Sequence, residues 1–218
     1  MTGAAQTKCF VVLEGTDGSG KTGLRKYIFQ RLGEAGVDVL AIVPQSWHVR
    51  AATSIIVRTK FFSESLPPDR ITWAFIADKN DLSQRVIVPH LACRHVVCDR
   101  FLASDVVYHE VMYGIPQHVS LSAYKQSMIK FPDITVFVDT PPEVAFERVR
   151  KRCTGGKHAW DRLDIQRELQ SKFRALFDSA ITEFGRSVRI DNGGTREEAY
   201  AQLEDLVIGP YLIGRGSK

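Results

Sequence analysis

One segment near the start of the chain, Phe10–Thr22, restricts the possible fold more than any other. Its apolar first half is typical of a buried strand, its second half has the spacing GxxxxGK[ST], and a helical apolar pattern follows from Leu24 to Leu32. Glycines let a backbone wrap an anion with its N–H groups at positions where a Cβ atom would clash. The order strand, loop, helix predicts a site for a nucleoside triphosphate, and an ordinary glycine-rich turn is the alternative.

The spacing also assigns roles within this loop, which we call the cradle. The ammonium of Lys21 is expected to reach the β- and γ-phosphates, and the hydroxyl of Thr22 suits Mg²⁺. Lys21 is therefore the first candidate catalytic residue. The residues expected around the phosphates are Gly15, Asp17, Gly18, Ser19, Gly20, Lys21 and Thr22.

The composition is that of an ordinary globular domain. The chain has 218 residues, 44% hydrophobic and 25% charged, so residues 1–218 can form one domain with a substantial core. The net charge is +4 without a dense Lys/Arg tract, which favours small polyanions over nucleic acid as ligands. No apolar run could span a membrane, and no signal peptide precedes the first strand. We therefore expect a cytoplasmic protein with small-molecule nucleotide ligands and no nucleic-acid or membrane partner.

Four cysteines are expected to be reduced thiols rather than a disulfide framework. The group His90, Cys93, His95 and Cys98 raises zinc as an alternative, because these residue types ligate zinc at short spacings. Cys98 falls in a strand-like run, however, and the residues before it are typical of a helix end. The four could converge only through a tight turn, and the segment has no glycine to form it. We favour the interpretation without zinc.

Strand-like and helix-like segments alternate along the chain. Short apolar runs predict strands near 9–14, 37–43, 95–99, 134–139 and 187–191. Helices are predicted near 20–34, 48–60, 68–92, 101–112, 118–130, 142–152, 162–184 and 195–207, with Pro89 expected to kink or end the third. The alternation predicts an α/β fold, an open parallel five-stranded sheet with helices on both faces and ligands at the carboxyl ends of its strands.

A basic segment lies between two of these helices, from Arg148 to Arg162, and contains Gly155 and Gly156. We interpret it as a small basic lid, approximately residues 150–161, that closes over an anion. A solvated basic loop is the alternative.

The end of another predicted strand helps to distinguish a kinase from a regulatory nucleotide-binding switch. A guanine-nucleotide switch carries NKxD after a strand, which this sequence lacks, and its DxxG match at 191–194 is interpreted as a turn. A kinase needs a carboxylate near the metal and cations around the transferred phosphoryl group. Asp99 can hold Mg²⁺ or its water, and Arg100 can bind a phosphate bidentately. An ordinary ion pair at a strand end is the alternative.

Four motifs in order make the chain resemble the thymidylate kinase family. They are the cradle at 14–22, DRFLASDVVY at 99–108, PDITVFVD at 132–139 with the nearby Pro142, Glu143 and Arg148, and DRLD at 161–164. The resemblance covers roughly residues 8–207. It implies a P-loop kinase fold and a homodimeric enzyme. It also implies Mg²⁺-dependent transfer of the ATP γ-phosphate to a nucleoside monophosphate, which would convert dTMP to dTDP.

The resemblance also implies which residues surround the acceptor. Asp17 would receive the 3′-hydroxyl of its sugar and Arg100 would bind its phosphate. Tyr108 would crowd the 2′ position and so disfavour a ribose.

The same resemblance assigns residues to the acceptor base. Phe75 would stack on the base and Ser104 would lie beside it. Lys79 occupies the position where the family usually has an arginine that hydrogen-bonds the base. Phe75 also follows the helical spacing of neighbouring apolar residues, so a core residue is the alternative at this position.

One subgroup of the family places a catalytic arginine where this chain has Gly18. The resemblance therefore implies that the lid supplies the cation, with Arg150, Arg152 and Lys157 as candidates. Simple solvation is the alternative for these three side chains.

The chain departs from the family pattern after the second strand. It reads Ile42-Val43-Pro44 where the family usually has Arg-x-Pro, so the arginine that clamps the acceptor phosphate is missing. Arg50 is a candidate substitute, and His109 replaces a frequent glutamine. These departures leave open a kinase of the same fold for a different nucleotide or nucleoside-like acceptor. A nucleotide-binding regulatory protein is the alternative from another functional class.

Overall fold

All five predicted strands form and lie in one sheet. The computed structural model describes residues 7–152, 162–179 and 183–214. The sheet order is β2-β3-β1-β4-β5, with β1 at Phe10–Glu14, β2 at Val39–Ile42, β3 at His95–Asp99, β4 at Ile134–Asp139 and β5 at Arg186–Asp191. Every neighbouring pair is parallel, so the predicted open parallel sheet is confirmed.

Helices connect the strands in the predicted order. In the described residues they are α1 Lys21–Glu34, α2 Arg50–Phe62, α3 Pro68–Leu82, α4 Val88–Leu91, α5 Leu102–Tyr113, α6 Gln117–Lys125, α7 Pro142–Arg152, α8 Leu163–Asp178 and α9 Arg196–Leu203. None of the helices in this part of the chain has the length and apolar character needed to cross a bilayer.

Both faces of the sheet are covered by helices, as predicted. Phe10 and Val12 of β1 belong to one core cluster, which includes residues of α5 and α8. Val11 and Leu13 belong to a second cluster, which includes residues of α1 and α9. A strand buried on both faces favours apolar residues that point to either side, and this explains the nearly continuous apolar run of β1.

The predicted helix over 68–92 is one helical segment with a change of pitch. α3 passes into a π-helical turn at Ser83–Ile87, and α4 follows. Pro89 lies in the first turn of α4, where its missing N–H is tolerated. Pro89 is expected from the sequence to kink or end the helix. The structure instead has a wider, π-helical turn just before this proline, and the helical segment continues.

Three other predicted helices have different ends. The helix predicted over 118–130 ends at Lys125, and the one over 162–184 ends at Asp178. The helix predicted over 195–207 ends as α9 at Leu203 and continues as a π-helix through Ile213. Pro210 lies inside that π-helix, where a regular α-helix would be interrupted.

The residues considered for zinc have other partners. Nδ1 of His95 accepts a hydrogen bond from the N–H of Cys9 at 3.0 Å, and Cys98 is buried in β3. Nδ1 of His90 lies 2.7 Å from the carbonyl oxygen of Val86. Across the described ranges, no three His, Cys, Asp or Glu side chains are grouped so that they could hold a metal ion.

Candidate active site

The cradle needs its glycines because other elements pack directly against it. It joins β1 to α1, and Gly18 and Gly20 have φ values of +80° and +99°. A Cβ atom on Gly18 would lie 2.1 Å from the carbonyl oxygen of Ala145 in α7, and one on Gly20 would lie 2.1 Å from Nδ2 of Asn192. An arginine at position 18 would therefore require α7 to move, which explains the glycine found there.

Lys21 lies at the centre of the cradle. Its ammonium donates hydrogen bonds to the carbonyl oxygens of Gly15 at 3.0 Å and Thr16 at 2.7 Å, and to Oγ of Ser19 at 3.2 Å. Burial, reinforced by the charge of Arg100, lowers the pKa of Lys21 to about 7. An added phosphate would favour the charged form of this side chain.

The two residues predicted to hold the metal lie together. β1 and β3 pair with Leu13 opposite Asp99, which places the Asp99 carboxylate beside the cradle. The hydroxyl of Thr22 donates a hydrogen bond to Oδ2 of Asp99 at 3.3 Å. Both groups offer the oxygen ligands that Mg²⁺ prefers.

Arg100 connects the cradle to α5. Its guanidinium donates hydrogen bonds to Asp17 at 2.7 Å and to Oγ of Ser104 at 3.1 Å. The hydroxyl of Tyr108 donates to the second oxygen of Asp17 at 3.3 Å, and the Tyr108 ring centre lies 5.1 Å from the guanidinium carbon. Four residues predicted to surround the acceptor are therefore in mutual contact.

Opposite charges hold this cluster in its ionised form. Burial would raise the pKa of Asp17, but the charges of Arg100 and Lys21 outweigh burial and lower this pKa to about 2. Burial would lower the pKa of Arg100, and Asp17, Tyr108 and Asp99 together raise it instead. Arg100 has a φ of +71°, which is rare for a residue with a side chain, so the surrounding contacts must hold this backbone in place.

A buried carboxylate at the end of β1 fixes the start of α5. Glu14 accepts hydrogen bonds from the N–H groups of Phe101 at 2.8 Å and Ser104 at 3.1 Å, and it also accepts one from the Ser104 hydroxyl. Burial raises the pKa of Glu14, against the effect of these hydrogen bonds and of Arg100. The side chain of Glu14 thus supplies the cap that α5 lacks locally and orients the turn that carries Arg100.

Phe75 and Lys79 lie deeper than the other predicted acceptor residues. The ammonium of Lys79 is fully buried, 3.0 Å from Oδ2 of Asp105, and donates a hydrogen bond to the carbonyl oxygen of Pro44 at 2.7 Å. Phe75 is 3% exposed and packs edge-to-face on His109, with ring centres 4.6 Å apart. This packing agrees with the alternative of a core residue at Phe75.

The lid contributes only its first residues to the described structure. Residues 153–161, and with them Lys157, lie outside the described residues, as does the side chain of Arg152. Arg150 is exposed, donates to Glu147 at 2.8 Å and is not among the residues around the cavity beside the cradle. Arg148 and Lys151 of the same helix do line that cavity.

Asn192 is a contact of the cradle that reasoning from the sequence missed. Its side-chain amide donates a hydrogen bond to the backbone carbonyl oxygen of Ser19 at 2.5 Å. The backbone carbonyl oxygen of Asn192 accepts one from the guanidinium of Arg148 at 3.2 Å. The segment 191–194 does turn, because the N–H of Gly193 bonds Oδ1 of Asp191 at 2.9 Å. Its position after β5 was the available signal, because parallel strands bring their carboxyl ends to one edge of the sheet.

The cradle opens onto a cavity of about 750 Å³, which is large enough for a nucleotide. Its walls are formed by the cradle, by Asp99 and Arg100, and by residues on two sides. These are Arg148, Lys151, Asn192, Arg196, Ala199 and Tyr200 on one side and Val43 and Pro44 on the other. One continuous cavity therefore connects the phosphate-binding loop to the Arg100 cluster.

Comparison with known proteins agrees with this arrangement. The family model for thymidylate kinase matches residues 13–188. A probable thymidylate kinase of Archaeoglobus fulgidus is 30% identical, over 90% of this chain and 95% of that protein. Thymidylate kinases of Pseudomonas fluorescens and Caldicellulosiruptor saccharolyticus are 30% and 26% identical, over 96% and 91% of this chain and 100% and 95% of those proteins. The matched range contains the cradle, Asp99 and the Arg100 cluster, and the chain belongs to the thymidylate kinase family of nucleoside monophosphate kinases.

Proposed function

We propose that this protein transfers the γ-phosphate of ATP to dTMP and releases ADP and dTDP. The observation that carries the proposal is the contact of Arg100 with Asp17 at the edge of the cradle, 2.7 Å apart. This contact supports the proposal because a guanidinium can bind a second phosphate and Asp17 belongs to the loop proposed to bind the first nucleotide. The matches to thymidylate kinases support dTMP as the acceptor.

On the donor side, we assign the residues of the cradle to the ATP phosphates. Lys21 is the candidate catalytic residue, because its buried ammonium can exchange loop carbonyls for β- and γ-phosphate oxygens. Arg148 and Lys151 add positive charge on the α7 side of the cavity. Thr22 and Asp99 are the residues that would hold Mg²⁺, which when bound neutralises charge on the phosphate oxygens.

On the acceptor side, we assign Arg100 to the phosphate and Asp17 to the sugar. Tyr108 is fixed against both side chains, so its ring can wall the sugar and leave no room for a 2′-hydroxyl. We assign Ser104 and Lys79 to the side of the base, and Phe75 to the wall behind it. The enzyme should accordingly prefer deoxyribonucleotides.

A coupled assay of ADP release tests this function. Purified protein is given ATP and Mg²⁺ with dTMP, dUMP, UMP or dGMP as acceptor, and dTMP should give the highest kcat/KM. Faster turnover of UMP or dGMP would reject the thymidylate assignment and retain the kinase. No transfer to any monophosphate would favour a regulatory nucleotide-binding protein.

We also propose a homodimer. α2 and α3 pack together and expose large apolar side chains, with Phe62 74% and Trp73 48% exposed. A second copy of the chain would bury this surface. Light scattering should give twice the mass of the chain, and Trp73→Arg should shift the protein toward the monomer.

A further inference from the structure

Five charged side chains, one each from α2, α3 and α5 and two from the segments that follow β1 and β3, lie close enough for their charges to interact. Two opposite-charge pairs account for four of them, namely Arg100 with Asp17 at 2.7 Å and Lys79 with Asp105 at 3.0 Å. The fifth is Lys60 of α2, whose charge interacts with all four. Among the residues that the structure describes, Lys60 has neither a hydrogen bond nor an ion pair.

The phase of α2 directs Lys60 toward this cluster. Ala52 and Ile56 are buried on the face of α2 that packs against Phe75 of α3. Lys60 follows Ile56 by four residues, so it continues the same face by one turn. The side chain is more buried than exposed. Burial lowers the pKa of Lys60, with the charge of Asp105 opposing this effect.

Within this group of five side chains the cations outnumber the carboxylates, while Glu14 and Asp99 also lie close enough to act on Arg100. Lys60, Lys79 and Arg100 supply three cations, while Asp17 and Asp105 supply two carboxylates. A partly buried cation without a partner is costly, and an anionic ligand that reaches it is bound correspondingly well. Within the described residues, a cation without a partner of its own thus lies close enough to interact with the guanidinium already assigned to the acceptor phosphate.

Neither of the two positions considered in the sequence analysis supplies a second cation for the acceptor phosphate. Position 42 is an isoleucine, buried in β2 opposite Cys98 of β3. Arg50, the candidate substitute, lies exposed at the start of α2. Lys60, between two and three turns further along the same helix, has the burial and the neighbours that Arg50 lacks.

We propose that Lys60 binds the phosphate of the acceptor together with Arg100 and so replaces the missing arginine at position 42. This inference rests on the proposed function only in requiring a nucleoside monophosphate as acceptor. It makes the acceptor site selective for the phosphorylated nucleotide over the free nucleoside. It also assigns a binding role to the face of α2 that carries Lys60, which lies outside the motif at 99–108.

Calorimetric titrations with dTMP and with thymidine, in the absence of ATP, test the proposal. Lys60→Met should weaken dTMP binding about ten- to a hundred-fold, the effect of losing a charged hydrogen bond, and leave thymidine binding unchanged. Lys60→Arg should restore most of the dTMP affinity. Arg58→Met is the matched control, since Arg58 lies on the same helix and binds Glu64 at 2.6 Å on the surface.

Two results would overturn the proposal. Equal weakening of dTMP and thymidine by Lys60→Met would make Lys60 a structural or base-contacting residue, and unchanged dTMP binding would remove it from the site. Thermal unfolding of each variant separates loss of fold from loss of binding, and Lys60→Arg provides a folded comparison. If the acceptor screen selects another monophosphate, that nucleotide and its nucleoside replace the pair used here. A wild-type protein that binds no monophosphate would overturn this proposal and the proposed function together.

Discussion

The guanidinium of Arg100 lies 2.7 Å from the carboxylate of Asp17, although 83 residues separate them in the chain. One residue belongs to the loop after β1 and the other follows β3. Because these strands are neighbours in the sheet, two distant motifs form one site. This pair joins the cradle to the proposed acceptor site.

Replacing Asp17 by asparagine removes the charge that holds Arg100 in place. We expect kcat/KM for the acceptor to fall about ten- to a hundred-fold, because a hydrogen bond between charged groups is worth about 1.5–3 kcal/mol. The Kd of ATP should change much less. Glu64→Gln, which affects the exposed pair with Arg58, is the control and should leave both values unchanged. An equal loss of ATP binding would show that Asp17 supports the cradle rather than Arg100.

The lowered pKa of Lys21 makes ATP binding depend on pH. Lys21 titrates at about 7 in the free protein, and bound phosphate raises this pKa. The free ammonium loses its proton as pH rises through 7, so ATP binding at about pH 8 should take up close to one proton and weaken as pH rises. Calorimetry in buffers of different ionisation enthalpy counts that proton. Lys21→Met should abolish the uptake and reduce turnover by orders of magnitude, and unchanged proton uptake in this variant would contradict the assignment.

Gly18→Ala tests the contact between the cradle and α7. Its Cβ atom would approach the carbonyl oxygen of Ala145 to 2.1 Å, in addition to the strain of a positive φ. Gly36→Ala is a matched control, because Gly36 has a φ of +68° and a Cβ atom added there would meet no atom within 4 Å. Both variants should lose about 1–2 kcal/mol of unfolding free energy through backbone strain, and Gly18→Ala should lose more and also bind ATP poorly. If the two variants had equal urea midpoints and Gly18→Ala still bound ATP, α7 would have to move away from the added Cβ atom at little cost.

Asp105→Leu leaves the ammonium of Lys79 buried without its counter-charge. We expect a loss of about 3–5 kcal/mol in unfolding free energy, as is typical when one partner of a buried ion pair is removed. The double variant Lys79→Met/Asp105→Leu should recover most of that stability. Urea unfolding of the two single variants and the double variant measures the coupling. Additive losses would mean that the two groups are independently solvated in the folded protein.

Most of the fold could be predicted because its signals are local. The three central strands, β1, β3 and β4, were evident as apolar runs, and their buried position explains those runs. Helix ends were less predictable, since Pro89 directly follows a π-helical turn and Pro210 lies within a π-helix, and neither proline ends its helical segment. Local sequence does not encode the neighbouring packing that stabilises such turns.

The positions of the site residues were predictable where one motif contains them, as at Lys21 and Thr22. Asn192 and Lys60 belong to no motif, and their surroundings are formed by elements far apart in sequence. The spacing of residues along α7 also indicates which side chains at the start of the lid face the cavity. Arg150 lies two residues beyond Arg148, so it points away from the side that Arg148 presents to the cavity, whereas Lys151 lies three residues beyond it.

The pairing of Leu13 with Asp99 has a consequence for how the enzyme acquires its activity during folding. A slip of one residue between β1 and β3 would preserve an apolar sheet but turn Asp99 to the opposite face, away from Thr22. These partners are far apart in sequence, so loop closure over most of the first hundred residues must precede their pairing. Nucleotide affinity should therefore appear late in refolding, after helix formation, and report directly on whether the central strands have aligned correctly.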